Sequence, residues 1–139
     1  MSSLRFLIVL IALFAKACYV PYGPEIYGGH ISCHWNGGYD DYMWIFQVWV
    51  DHPIAPDEVR EVNLHLYDAQ GNRNYIPLEY SNSTLWKYIP KEKDTNLECG
   101  RWYLIEIIAF DNEGFYDYIE TISDEISEKY NSPYTSNDI

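Results

Sequence analysis

The sequence predicts an all-β protein, an antiparallel β-sandwich of about seven short strands. Three observations lead to this fold class. Apolar and polar residues alternate with a period of two in several segments, as they do in half-buried strands. Turn-forming residues separate these segments at intervals of about ten residues. Beyond an apolar run at the N-terminus, no segment has sustained helical periodicity.

The individual strands follow from the same pattern. In residues 42–50 both alternating sets are apolar, which favours a central position in a sheet, and residues 101–110 form the second strong strand. Residues 62–66 alternate apolar and polar side chains, so we expect a half-buried strand there. Residues 75–80 form a strand whose Pro77 lacks an N–H and therefore favours a sheet edge. Shorter strands are expected at 30–35, 85–89 and 115–122.

The N-terminus has the three-part layout of a secretory signal. Arg5 gives a weakly positive start, residues 6–14 are an unbroken apolar run, and residues 15–17 place small residues where a signal peptidase reads them. The run is too short to cross a hydrocarbon core of roughly 30 Å as a stable helix. We therefore expect residues 1–17 to be removed and the chain to be extracytoplasmic, either lipid-anchored to the cell envelope or secreted.

The rest of the chain is expected to form one domain with two flanking segments. Residues 18–29 are rich in Pro, Gly and Tyr and are predicted to be a tether, with a first edge strand as the alternative for residues 19–29. Residues 30–123 contain the predicted strands and form the sandwich. Residues 124–139 are polar and are predicted to be a flexible tail.

The charge of the chain limits its partners. The formal net charge is −12 at neutral pH. Such an acidic surface repels phosphate backbones and anionic headgroups. We therefore expect no nucleic-acid partner and no membrane contact except through a possible lipid anchor. The expected partner is a protein or a glycan at the cell surface, and no cofactor is expected.

The residues before Cys18 resemble the lipobox of bacterial lipoproteins, in which small residues precede the modified cysteine. The resemblance implies lipid attachment at Cys18. Ala15 stands where Leu is usual and Lys16 where a small or uncharged residue is usual, so plain cleavage after Ala17 stays open as the alternative.

The three cysteines allow one internal pair. If Cys18 becomes a lipid-modified N-terminus, Cys33 and Cys99 remain, and export exposes them to oxidation. We predict a Cys33–Cys99 disulfide, with the two α-carbons within about 7 Å of each other.

Residues 99–114 resemble the penultimate strand and turn of bacterial immunoglobulin-like and fibronectin-type modules. Gly precedes an aromatic residue, β-branched residues alternate, and Ala-x-Asp-x-x-Gly ends the strand. Residues 62–72 resemble the matching earlier strand, and the resemblance covers roughly residues 58–122. It implies an immunoglobulin-like sandwich in which Tyr103 plays the tyrosine-corner role. The inward side chains would be Tyr103, Ile105, Ile107 and Ala109.

The sequence departs from that family in one respect. Cys33 and Cys99 do not sit mid-strand in the sheet-to-sheet positions of antibody domains. Because the shared motifs describe strands and turns, they predict the fold much better than the function.

Metal chemistry is not expected. His30 and His34 flank Cys33 at a spacing that suits zinc on a helix, but residues four apart in a strand stand roughly 13 Å apart. Several turns are rich in carboxylates that could hold Ca²⁺, although such residues favour turns for backbone reasons alone. These turn residues are Asp40, Asp41, Asp68, Asp111, Asn112, Glu113 and Asp117.

Catalytic motifs do not occur in the sequence, which has no Gly-x-Ser-x-Gly, no His-Glu-x-x-His and no phosphate-binding glycine loop. We expect no enzyme but an exported module of the cell envelope that acts in adhesion, assembly or scaffolding. The alternative is a glycan-binding module. Trp49 and Trp102 fall on the faces opposite the presumed core residues and are possible ligand-binding residues, unless another element covers them.

Overall fold

A computed structural model of the protein describes residues 22–122 and 130–134. The predicted signal segment 1–17, Cys18 and most of the predicted tail lie outside these residues. The described part is all-β, with two short 3₁₀ turns as its other regular elements. Within it, no helix is long and apolar enough to cross a membrane.

Nine strands follow one another along the described chain. Their bounds are β1 Glu25–Asn36, β2 Asp41–Asp51, β3 Val59–Tyr67, β4 Arg73–Pro77, β5 Glu79–Asn82, β6 Leu85–Tyr88, β7 Leu104–Asp111, β8 Tyr116–Ile122 and β9 Tyr130–Tyr134. The 3₁₀ turns are Pro56–Glu58 and Glu92–Asp94.

The strands form two sheets. The first sheet has the order β5-β6-β2-β1-β9 and the second has the order β4-β3-β7-β8. Neighbouring strands are antiparallel, except that β9 runs parallel to β1. One apolar cluster contains side chains of both sheets, an arrangement compatible with a β-sandwich.

The core follows from the alternation of side chains along the central strands. In each strand every second residue turns inward, and these residues are almost fully buried. They are Trp44, Phe46, Val48 and Val50 of β2, Val62, Leu64 and Leu66 of β3, and Ile105, Ile107 and Ala109 of β7.

The strong strand predictions are confirmed. Residues 42–50 lie in β2, which occupies the centre of the first sheet, and residues 104–110 of the predicted strand 101–110 lie in β7. Pro77 ends β4, which is an edge strand as expected. The segment 75–80 is not one strand, because the chain leaves the second sheet after Pro77 and enters the first sheet with β5.

Two strands extend into the segments that flank the predicted sandwich, and for residues 25–29 the strand alternative is the correct one. β1 begins at Glu25, inside the segment 18–29, because it pairs with β2 along the whole length of that strand, from Asp51 back to Asp41. β9 lies inside the segment 124–139 and is paired with β1. Neither extension carries the strict alternation by which the other strands were assigned.

Side-chain contacts fix the backbone on both sides of β7. Tyr103 is buried just before β7, and its hydroxyl accepts a hydrogen bond of 2.9 Å from the Glu98 N–H. This contact ties the Tyr103 side chain to the loop that precedes the strand. Asp111 Oδ1 accepts the N–H groups of Glu113 and Phe115, and Gly114 supplies the positive φ of the turn.

The disulfide prediction is confirmed. Cys33 of β1 is bonded to Cys99, with the α-carbons 5.8 Å apart. Both residues are buried in the apolar cluster. The bond therefore ties the first sheet to the loop that leads into β7 of the second sheet.

Candidate functional site

The outward side of the second sheet presents side chains from all four of its strands. Alternation turns Val62, Leu64 and Leu66 of β3 into the core, so the residues between them face outward. We call this surface the Tyr–Glu face. Its members are Asn63, His65 and Tyr67 of β3, Tyr75 of β4, Glu106 and Ile108 of β7, and Tyr118 and Glu120 of β8.

Strand register aligns these side chains in rows across the sheet. Tyr75 lies opposite His65, His65 opposite Glu106, and Glu106 opposite Glu120. The rings of Tyr75 and His65 are in contact, with centroids 5.3 Å apart. This row therefore has the aromatic rings of Tyr75 and His65 at one end and the carboxylates of Glu106 and Glu120 at the other.

Hydrogen bonds fix the tyrosines of this face. The Tyr75 hydroxyl donates to Asn63 Oδ1 at 2.9 Å, and the Tyr67 hydroxyl donates to Glu106 Oε2 at 3.1 Å. The Tyr118 hydroxyl donates to Glu120 Oε1 at 2.5 Å. Because each hydroxyl is held, the rings are oriented before any partner arrives.

The rings are nevertheless open to solvent. Tyr75 is 51% exposed, Tyr118 is 41% exposed, and the adjoining Tyr116 of β8 is 64% exposed. Ile108 lies beside Tyr118 in the sheet and is half-buried. Exposed tyrosines are enriched at interaction surfaces.

The electrostatics of the face are dominated by two carboxylates. Glu106 and Glu120 lie directly opposite one another, and like charges in such a position destabilise a sheet. Neither forms a salt bridge with another residue of the described part of the chain. The hydrogen bond to Glu120, burial and the nearby Glu106 charge together raise the pKa of Tyr118 well above its ordinary value. Tyr118 therefore remains a hydrogen-bond donor to these carboxylates.

Trp49 and Trp102 do not lie in strands of one sheet. Trp49 belongs to β2 and is half-buried, with its ring over Gly28, where an added Cβ would lie 3.4 Å from Cε3. Trp102 lies in the loop before β7 and is 46% exposed. Of the two candidate ligand-binding residues, Trp102 is therefore the more open to solvent.

A buried pair that the sequence analysis missed joins the ends of the two sheets. His52 follows β2 and Asp111 ends β7, and His52 Nε2 lies 3.1 Å from Asp111 Oδ2. The Ile54 N–H donates to His52 Nδ1 at 3.2 Å, so both ring nitrogens are occupied. The Asp-x-x-Gly pattern identified Asp111 as a turn residue. No feature of the sequence indicates that the distant His52 is its hydrogen-bond partner.

Burial and hydrogen bonding act in opposite directions on Asp111. Burial raises the pKa of the Asp111 carboxyl. The hydrogen bonds from His52 and from the Glu113 and Phe115 N–H groups lower this pKa by more than burial raises it. The result is a pKa below the ordinary value. Asp111 is thus a charged, satisfied group at the junction of the sheets.

The candidate metal residues have other contacts. His30 Nε2 lies 3.1 Å from Ser32 Oγ. Within the described residues, one cluster of three ligand atoms lies close enough for a metal ion, but two of its members are the disulfide sulfurs. The third, Glu92, accepts the Cys99 N–H at 2.7 Å. Glu92 therefore orients the disulfide loop.

The acidic turns bind their own backbone. Asp68 Oδ1 accepts the N–H groups of Gln70 and Asn72, as Asp111 does in its own turn. Asp117 was expected in a turn but lies in β8, where its Oδ2 accepts the Ile26 N–H of β1 at 2.8 Å. These contacts agree with the turn interpretation of Asp68 and Asp111.

The fold and this surface define a class: a two-sheet β-protein with a disulfide and an open tyrosine- and glutamate-bearing sheet face. Comparisons with protein families, with curated proteins and with solved structures found no match.

Proposed function

We propose that this protein is an exported, non-enzymatic immunoglobulin-like module of the cell envelope that acts in adhesion, assembly or scaffolding. The observation that carries the proposal is the strand order. The orders β5-β6-β2-β1 and β4-β3-β7-β8 correspond to strands D-E-B-A and C′-C-F-G of immunoglobulin-like sandwiches. The tyrosine corner at Tyr103 supports the same assignment.

A binding role fits the chemistry of the exposed residues better than catalysis. The one buried His–Asp pair within the described ranges has both imidazole nitrogens in hydrogen bonds, so His52 has no nitrogen left to accept a substrate proton. The Tyr–Glu face offers rings and carboxylates for contact. Immunoglobulin-like folds commonly serve recognition at cell surfaces.

Export is supported by the Cys33–Cys99 disulfide, because such bonds persist in oxidising compartments. Production of the full chain in a bacterial secretion host, followed by intact-mass measurement, tests this part. We expect a mature chain that begins at Cys18 with a lipid mass, and release of the Cys18→Ser variant into the soluble fraction. An unprocessed chain with reduced Cys33 and Cys99 in the cytoplasm would contradict export.

Glycan binding is the second candidate, favoured by the exposure of Trp102. If Trp102 stacks on a sugar, Trp102→Ala should weaken polysaccharide binding by about 1–3 kcal/mol, by analogy with bases stacking on aromatics. Its exposure favours a stability loss well below the about 3–5 kcal/mol expected for Trp44→Ala in the core. Affinity electrophoresis against neutral polysaccharides and thermal melts measure both. A Trp102→Ala loss as large as that of Trp44→Ala would mean that Trp102 is structural.

A further inference from the structure

The Tyr–Glu face combines open rings with an uncompensated pair of negative charges. Tyr75 and Tyr118 present exposed rings. Glu106 and Glu120 lie opposite one another in the row that begins with Tyr75, and Tyr118 lies two residues before Glu120 on β8. Natural sheets usually avoid like charges in directly opposite positions because they repel. Here the Tyr118 hydroxyl bonds Glu120 without adding any positive charge.

The cations nearest in the strand order do not neutralise this pair. Arg60 bonds Glu61 at 3.3 Å and lies over the Phe110 ring. Arg73 lies on β4, in the row of Tyr67, two strands away from Glu106. No salt bridge within residues 22–122 involves Glu106 or Glu120. The positive charge that balances Glu106 and Glu120 must therefore come from solvent ions or from a partner.

We propose that the Tyr–Glu face docks a basic protein segment, with an arginine or lysine of the partner between Glu106 and Glu120. This inference rests on the proposed binding function and names its partner. A guanidinium there donates hydrogen bonds to both carboxylates and stacks against a tyrosine ring. The net charge of −12 steers basic partners toward the protein. A neutral glycan would use the rings but would leave the two glutamate charges facing each other.

Fluorescence anisotropy with a labelled nona-arginine peptide tests the proposal at physiological salt. The test variant is Glu106→Gln/Glu120→Gln. The control, Glu25→Gln/Glu79→Gln, removes the same charge from exposed positions of β1 and β5 in the other sheet. We expect the test variant to weaken peptide binding about tenfold and the control by about twofold or less. Equal weakening would overturn the proposal, because binding would then follow net charge alone.

Two further readouts separate docking from folding. Glutamine keeps an acceptor oxygen for the tyrosine hydroxyls and removes the repulsion, so the test variant should melt at the same temperature as the native protein or higher. Tyr118→Ser changes no charge and should weaken peptide binding about threefold through the lost ring contact beside Glu120. Unchanged binding in Tyr118→Ser would overturn the role of the rings.

A parallel measurement with a neutral polysaccharide decides between a basic protein segment and a glycan as the partner. Two results together would favour a glycan over a basic partner. The native chain would be retained on a neutral polysaccharide through Tyr75 and Tyr118, and Glu106→Gln/Glu120→Gln would leave nona-arginine binding unchanged. That outcome leaves the proposed function intact. An unprocessed cytoplasmic chain would instead remove the proposed function, whatever the peptide measurements give.

Discussion

Both the ring and the hydroxyl of Tyr103 stabilise the fold. Its ring lies in the apolar cluster and its hydroxyl accepts the Glu98 N–H. Tyr103→Phe keeps the ring and deprives that N–H of its acceptor, so we expect a loss of about 1–3 kcal/mol in urea unfolding. Tyr116→Phe is the matched control, because Tyr116 is 64% exposed, and should stay within about 0.5 kcal/mol of the native protein. Equal losses in the two variants would contradict a tyrosine corner.

Asp111 gives the stability of the fold a predictable pH dependence. Its folded pKa lies below the ordinary value of 3.8, so its contribution is complete above that pH and is lost as the pH falls through the folded pKa. Asp111→Asn should cost about 1–3 kcal/mol near neutral pH, and the deficit should shrink below pH 3.8.

Denaturant unfolding across the acid range measures this difference. Asp68→Asn is the control, because Asp68 makes the same kind of turn but has no histidine partner. A deficit in Asp111→Asn that stays constant down to the lowest pH would show that the carboxylate charge does not stabilise the junction of the sheets.

At the scale of the elements, the crossing between β4 and β5 depends on Leu78. Leu78 lies between the two strands, is buried, and its N–H bonds the Val62 carbonyl at 2.9 Å. Leu78→Ala should cost about 2–5 kcal/mol through the cavity it leaves. Ile54→Ala, at an exposed loop position, should stay within about 0.5 kcal/mol. Thermal melts compare the two, and similar midpoints would mean that Leu78 does not anchor the crossing.

Leu78 also illustrates where sequence patterns stop being informative about elements. The alternation of Ile76, Leu78 and Tyr80 predicts one strand, because a period of two says which residues are buried and not which sheet pairs with them. The alternation in β2 predicted its central position correctly, since both faces of that strand are apolar. Strand identity could therefore be predicted, whereas the change of sheet after Pro77 could not.

The candidate site shows the same limit. Because Ile105 and Ile107 were expected to face inward, Glu106 and Ile108 between and beside them should face outward, and they do. The row of Glu106 with Tyr75, His65 and Glu120 depends on register between three strand pairs whose sequences carry no mutual signal. Residue type predicted an aromatic surface but not the sheet on which it lies.

At the scale of the whole molecule, the Cys33–Cys99 bond joins parts of the chain that are 66 residues apart. Closing a loop of that length stabilises a fold by about 4 kcal/mol in the chain-entropy account, and Glu92 holds the Cys99 backbone in place. Because the apolar cluster spans both sheets, the Cys33→Ala/Cys99→Ala variant should still fold, about 2–5 kcal/mol less stable. Dithiothreitol should lower the melting temperature of the native chain toward that of the variant and leave the variant unchanged. A native chain insensitive to reductant would mean that the sheets hold together without the bond.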